Sequence, residues 1–177
     1  MNIVAISGSL RRDSFNTALL RNLQALAPEG MQITIQDISA IPLFNQDNEA
    51  EFPKEAQALK DAVEGADGII IATPEYNRSI PGVLNNAIDW ASRPWGKNSF
   101  TGKTVLTMGV SVGNIGTAVA QSHLRHILLY LNATVIGQPE LYLGPGHDIF
   151  DAEGNLTDTA TKEHLTKALA VLAKRVA

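Results

Sequence analysis

Ile3-Val4-Ala5-Ile6-Ser7-Gly8-Ser9-Leu10-Arg11-Arg12-Asp13-Ser14-Phe15-Asn16-Thr17 is the stretch that decides the fold. An apolar strand runs into a loop of hydroxyls, an amide and guanidinium groups, and the loop runs into a helix. A helix N-terminus carries unpaired N–H groups and the positive end of the helix dipole. A loop there that also offers Ser7, Ser9, Ser14, Asn16, Thr17 and the forked cation of Arg11 suits a phosphate. Gly8 lets the chain turn tightly. Neither common nucleotide signature is present: there is no Gly-x-x-x-x-Gly-Lys-Ser/Thr, and no Gly-x-Gly-x-x-Gly follows a strand. What remains is a monophosphate-type pocket. The plainer alternative is that Ser14 N-caps the helix and the other polar groups are solvated.

Working outward, apolar runs and helical patterns alternate with no linker or low-complexity break. Ile3–Ile6, Ile33–Ile35, Gly68–Thr73, Thr104–Val110 and Thr134–Ile136, the last resuming near Leu141, read as strands. They are short and apolar, as strands covered on both faces are. Helical stretches fall at 15–27, 53–65, 80–92, 116–132 and 157–176. Leu19, Leu20, Leu23 and Leu26 share one face of the first; Leu165, Leu169 and Leu172 repeat in the last, which Thr157 is expected to N-cap. This alternation predicts an α/β, flavodoxin-like doubly wound sheet of five parallel strands, order 2-1-3-4-5, with helices on both faces.

At 177 residues, one domain spanning 1–177 is expected. Hydrophobic residues make up 45% and charged residues 18%, which is a globular composition, and no apolar run is long enough for a membrane span. A net charge of −4 argues against a nucleic-acid partner. No cysteine is present, so any redox chemistry must sit on a bound cofactor. Met1 leads straight into strand residues with no basic leader, so the cytoplasm is the expected location.

In a doubly wound sheet ligands sit beyond the carboxyl ends of the strands, where the strand order switches. Besides the loop after Ile6, two others lie there. Thr73-Pro74-Glu75-Tyr76-Asn77-Arg78-Ser79-Ile80-Pro81-Gly82 is stiffened by proline at both ends. Between them backbone amides can face the edge of a planar heterocycle, and Tyr76 offers a packing surface; the alternative is an ordinary turn before a helix. Ser111-Val112-Gly113-Asn114-Ile115-Gly116 permits close backbone approach to a ligand, or simply a bend. A monophosphate loop beside a ring-edge loop is what flavin mononucleotide needs.

Gly8-Ser9-Leu10-Arg11-x-x-Ser14-x-Asn16, Pro42-Leu43-Phe44-Asn45-x-Asp47 and Thr73-Pro74-Glu75-Tyr76-Asn77-x-Ser79-x-Pro81-Gly82-x-Leu84-x-Asn86-Ala87-Ile88-Asp89-Trp90 together resemble the NADPH-dependent FMN reductases. His123-Leu124-Arg125-x-Ile127-Leu128 and Pro139-Glu140 are similar to the later helix and strand of the bacterial chromate and quinone reductases among them. The resemblance runs from Ile3 to about Glu140, leaving Gly144 to Asn155 unmatched. It implies one FMN per subunit, NADPH or NADH as electron donor, a small-molecule electron acceptor such as a quinone, chromate or an azo compound, and assembly as a homodimer or homotetramer.

Carried over by position, the resemblance puts Ser9, Arg11, Ser14, Asn16 and Thr17 on the FMN phosphate and Pro74, Glu75, Tyr76 and Asn77 against the isoalloxazine. It sets Ser111 and Gly113 across the pocket. No side chain need act as acid or base, and Glu75 is expected to work through backbone or helix contacts. The sequence departs from the family at Arg78, where the chromate reductases often have Tyr, and at Asn85, where Lys is common. Arg78 can meet Glu140, attract an anionic substrate or the 2′-phosphate of NADPH, or stand solvated. Arg125 and Glu140 are the expected cross-subunit ion pair.

Other readings carry less. Gly109-x-Ser111-x-Gly113 fits a nucleophile elbow, but the chain is short for an α/β-hydrolase and has no early oxyanion-loop glycine cluster. His123 and His126 share a helix face without a third ligand, so surface or interface histidines are expected and no metal. Trp90 and Trp95 are expected in core or interface packing. A flavodoxin-type electron carrier would use the same fold; against it stand Arg11 in the phosphate loop and 14 basic against 18 acidic residues, where such carriers are strongly acidic.

Overall fold

Strand β1 (Asn2–Ser7) has five buried residues after its first, and its side chains alternate between two cores. Ile3 and Ala5 face one and Val4 and Ile6 the other, because successive Cβ atoms of a strand point to opposite sides. The computed structural model describes residues 1–177. Around β1 lie β2 (Gln32–Gln36), β3 (Gly68–Ala72), β4 (Thr104–Val110), β5 (Thr134–Val135) and β6 (Tyr142–Leu143). The order is β2-β1-β3-β4-β5, and every pairing is parallel. The strand expected at 134–136 and again near 141 is two short pieces, both paired to β4: Thr104 opposes Thr134, and Gly109 opposes Tyr142. Between them the chain passes Gly137 and Pro139; proline offers no N–H for the ladder.

Helices α1 (Phe15–Leu26) and α6 (Thr159–Val176) cover one face, where Leu19, Leu20, Leu23, Leu165, Leu169 and Leu172 are buried. On the other lie α2 (Lys54–Gly65), α3 (Gly82–Ala91) and α4 (Ala118–Tyr130), contributing Leu59, Leu84, Trp90, Leu124 and Leu128. The cores hold 22 and 21 buried residues, so the sheet is covered equally on both sides and its strands are apolar throughout. No helix is long and apolar enough to cross a membrane.

Several local readings change. The last helix is capped by Asp158, whose carboxylate accepts the Thr161 N–H at 2.6 Å, while the Thr157 hydroxyl donates to Ile149 O. Proline occupies the cap of α3, so that helix starts two residues after Ile80. A 3₁₀ turn at Gln46–Glu51 and a short α5 (Gly146–Ile149) fill segments without helical periodicity. The Pro42-Leu43-Phe44 stretch is fastened to α3: Pro42 O accepts from Trp90 Nε1 (2.8 Å) and Asn86 Nδ2 (2.9 Å), and Asn86 Oδ1 accepts the Phe44 N–H. Trp90 is therefore fully buried in the core, whereas Trp95 is 79% exposed.

Candidate functional site

Strands β1, β3 and β4 end side by side, because their register pairs Ser7 with Ala72 and Ala72 with Met108. Their following loops are thus held at one edge, fixed further by Gly8 N–H to Ala72 O (2.8 Å) and Thr73 N–H to Met108 O (2.9 Å). Together they line a cleft of about 160 Å³ built from Ser9, Arg11, Ser14, Phe15, Asn16, Pro74, Glu75, Tyr76, Val110, Ser111 and Val112. Eight of the eleven residues expected at the site line this cleft. Thr17, Asn77 and Gly113 each adjoin a lining residue in the chain and are not part of the lining. A larger concavity of about 590 Å³ opens where the strands begin, between the ends of α3 and α4. It shares no residue with the three loops.

In the first loop Ser14 N-caps α1, its hydroxyl accepting the Thr17 N–H at 3.3 Å. Behind it the Ser7 and Thr17 hydroxyls bond each other at 2.8 Å, and Ser9 Oγ accepts the Arg11 N–H. Arg11 is exposed, and the ion pairs of the chain's arginines belong to Arg78, Arg93 and Arg125. Asn16, expected to present its amide to a phosphate, is 3% exposed and faces the sheet instead. Its Oδ1 accepts the Val110 N–H (3.0 Å) and its Nδ2 donates to Val110 O (3.1 Å), bolting α1 to the end of β4. Both amide atoms are engaged because β3 stops pairing with β4 at Met108, so the Val110 N–H and C=O, which point away from β6, have no strand opposite them.

Glu75 works through the neighbouring helix. Its Oε2 accepts the Val119 and Ala120 N–H groups, each at 3.1 Å, and its Oε1 accepts from Arg78 Nη1 at 2.8 Å. Thr117 makes no side-chain cap of its own; it sits in left-handed backbone (φ 64), and its Oγ1 accepts from Gln121. The N-terminus of α4 is therefore capped from a different loop. Burial raises the Glu75 carboxyl, but the donors at Ala120, Arg78 and Val119 and the Arg78 charge outweigh it and hold it below the ordinary value. Arg78 thus meets Glu75 and not Glu140.

The third loop is held by its own hydroxyl and by the unmatched segment. Ser111 Oγ donates to Gly113 O at 2.6 Å and accepts the Gly116 N–H, so its proton points at a carbonyl and no histidine is bonded to it. That arrangement does not make a nucleophile. Gly146 N–H donates to Ser111 O, and Phe150 stacks on Phe15 with centroids 5.9 Å apart, so the segment after Gly144 buttresses the cleft from below. A Cβ on Gly109 would collide with Thr117 Oγ1 and Thr73 O, so only glycine lets the second and third loops approach so closely.

Arg125 and Glu140 pair inside the chain at 3.4 Å, with the Tyr142 hydroxyl donating to the same Glu140 oxygen at 2.9 Å. Within one chain they thus already form a local network, which Arg125 extends to Thr107 and over the Tyr142 ring. His123 and His126 are exposed, and His123 Nδ1 bonds Ser79 Oγ at 3.1 Å. Sequence reasoning missed Phe15, Val110 and Val112 as lining residues; apolar side chains at an element's end carry no signal of a cleft.

Residues 1–148 match the family model described as NADPH-dependent FMN reductase. A 2-hydroxy-1,4-benzoquinone reductase of a Burkholderia species is 48% identical over 93% of this chain and 90% of its own length. An NAD(P)H-dependent FMN reductase of Pseudomonas aeruginosa is 43% identical over 97% and 93%. Among solved structures, FerB, a flavoenzyme NAD(P)H:(acceptor) oxidoreductase from Paracoccus denitrificans, superposes with a TM-score of 0.92 at 37% identity, covering 99% of this chain and 96% of its own.

Proposed function

Since the chain belongs to the NADPH-dependent FMN reductase family, as an oxidoreductase that uses FMN and NAD(P)H, we propose that its physiological acceptor is a quinone and that the three-loop cleft holds the flavin. The observation that carries this reading is the meeting of Arg11, Ser9 and Ser14 at the open N-terminus of α1 with the ring-edge loop at 74–77. These donors fit a phosphate: the Arg11 guanidinium has no carboxylate partner in the chain, and α1 has no acidic residue in its first turn to compete for the site. When bound, FMN supplies the chemistry, so that NAD(P)H, a proton and a quinone become NAD(P)⁺ and a hydroquinone.

The chain's own residues bind and orient. Arg11, Ser9 and Ser14 hold the phosphate, while Asn16 and Thr17 fix the loop in shape from behind. Pro74, Glu75, Tyr76 and Asn77 carry the ring edge, Glu75 through its clamp on α4, and the half-exposed Tyr76 leaves an open face for donor and acceptor in turn. Ser111 and Gly113 close the far side. The protein is proposed to assemble as a homodimer or homotetramer, which would cover Trp95, Leu129 and Tyr130, exposed at 79%, 62% and 73%. Its proposed location is the cytoplasm, where the reduced nicotinamide pool resides.

Titrating the flavin-free protein with FMN by fluorescence quenching tests the assignment. Arg11→Ala should weaken binding by about 1.5–3 kcal/mol, the worth of a charge-assisted hydrogen bond. An unchanged affinity would remove Arg11 from the phosphate site. Steady NADPH oxidation on adding a quinone separates the enzyme from a flavodoxin-type carrier.

A further inference from the structure

Resting on that reductase reading, we propose that Arg78 gives the cleft a preference for acceptors that are anions, ionised hydroxyquinones over neutral quinones. The argument starts from backbone strain. Tyr76 and Ser79 form an isolated antiparallel bridge, each N–H donating to the other's carbonyl at 3.0 Å, and the two residues between them have φ of 52° and 62°. This is a two-residue hairpin turn with both central residues in the left-handed region, the geometry that ordinarily selects Asn-Gly. Asn77 obeys the preference. Arg78 stands where glycine would rest without strain.

What it does is limited by its surroundings. The guanidinium is aimed by one bond, Nη1 to Glu75 Oε1 at 2.8 Å, and its side chain remains 65% exposed. Glu75, in contrast, is 8% exposed at its side chain, and its second oxygen is occupied by the two α4 N–H groups. The carboxylate's charge is therefore already met by a helix terminus, and Arg78 is held in place without being cancelled. Arg11 is an exposed lining residue of the cleft; Arg78 stands just outside the lining, two residues beyond Tyr76 and bonded to Glu75, both of which line it, so its charge sits at the rim.

A hydroxyquinone is a vinylogous carboxylic acid, ionised at neutral pH, whose adjacent oxygens match the planar fork of a guanidinium. Held by that fork at the Tyr76 rim, its ring lies over the cleft. Reduction is balanced: the anion of 2-hydroxy-1,4-benzoquinone takes the hydride equivalent of NAD(P)H and two protons from water and leaves as the neutral trihydroxybenzene. The 2′-phosphate of NADPH is the competing anion, but it lies at the far end of the dinucleotide from the reacting ring.

The test uses the FMN-loaded protein and two variants, Arg78→Asn, which tolerates left-handed backbone, and Arg78→Lys, which keeps the charge. kcat/KM is measured for 2-hydroxy-1,4-benzoquinone and for 1,4-benzoquinone at low ionic strength. Independently, benzoate and benzamide are titrated into the oxidised protein by flavin absorbance. In Arg78→Asn the anion-to-neutral ratio of kcat/KM should fall about tenfold and benzoate affinity by a similar factor, with benzamide binding unmoved and Arg78→Lys recovering part of both effects. An unchanged ratio with unchanged benzoate affinity would overturn the proposal. So would a rise confined to the KM for NADPH, which would assign Arg78 to the donor's phosphate. A wild type that reduces neither quinone would instead bring down the reductase reading. Melting curves of both variants establish that they are folded.

Discussion

Replacing Glu75 by alanine removes the carboxylate that ties the loop after β3 to the start of α4. Two first-turn N–H groups, at Val119 and Ala120, lose their acceptor, and Arg78 loses its partner. A buried donor left without a partner costs about 1–3 kcal/mol, while a largely exposed ion pair such as the one with Arg78 adds about 0–1. Because Val119 is only half-buried, water recovers part of the first cost, and the expected loss is about 2–4 kcal/mol. For a chain of this size each kcal/mol corresponds to roughly 2–4 °C, so the melting temperature should drop by about 5–12 °C at neutral pH.

Glu75→Gln keeps one acceptor but sets an amide N–H against a backbone N–H, and should fall between alanine and wild type. The pH dependence has a fixed sign. A carboxyl held below its ordinary value of about 4.3 contributes stability that is present above that pH and is lost as pH falls through the lower native value. Wild type and Glu75→Gln should therefore differ at neutral pH and converge as pH falls from the ordinary carboxyl value through the lowered native one. Thermal unfolding monitored by circular dichroism, at one protein and FMN concentration throughout, is the assay. A Glu75→Ala protein melting within about 2 °C of wild type at neutral pH would refute the clamp, since that is less than one hydrogen bond's worth.

Asn16→Ala strands both polar groups of Val110 in a buried position, and urea unfolding should show a loss of about 2–4 kcal/mol together with weaker FMN binding. Full stability in that variant would return Asn16 to the phosphate. Light scattering at working concentration should find a dimer or tetramer, and Trp95→Ser with Tyr130→Ser should shift it toward monomer; a wild-type monomer, flavin-loaded and active, would set the assembly aside.

The strand-loop-helix at 3–17 and the alternation that follows were enough to determine the parallel sheet, its order and the edge at which a ligand sits. The reason is that each signal is local: a run of β-branched residues, a serine one residue before a helix, a leucine stripe with a period of 3.6. Family-like spacing extended this to the three loops that do meet. What the sequence could not settle is where each polar group of those loops finds its partner. Asn16 reads as a phosphate donor until β4 is seen to run past the end of β3 beside it, 94 residues on, with the Val110 N–H and C=O open on that side. The start of the helix expected at 116–132 shows no cap of its own in the sequence, and α4 is capped by Glu75 from another loop, a bond across 44 residues that leaves no mark in either segment. Arg125 and Glu140 carry the charges of an interface pair, and the short β6 brings them together within one chain. A side chain's hydrogen-bonding capacity is encoded locally, but which partner satisfies it depends on which strand ends lie side by side, and that is decided only when the sheet has formed.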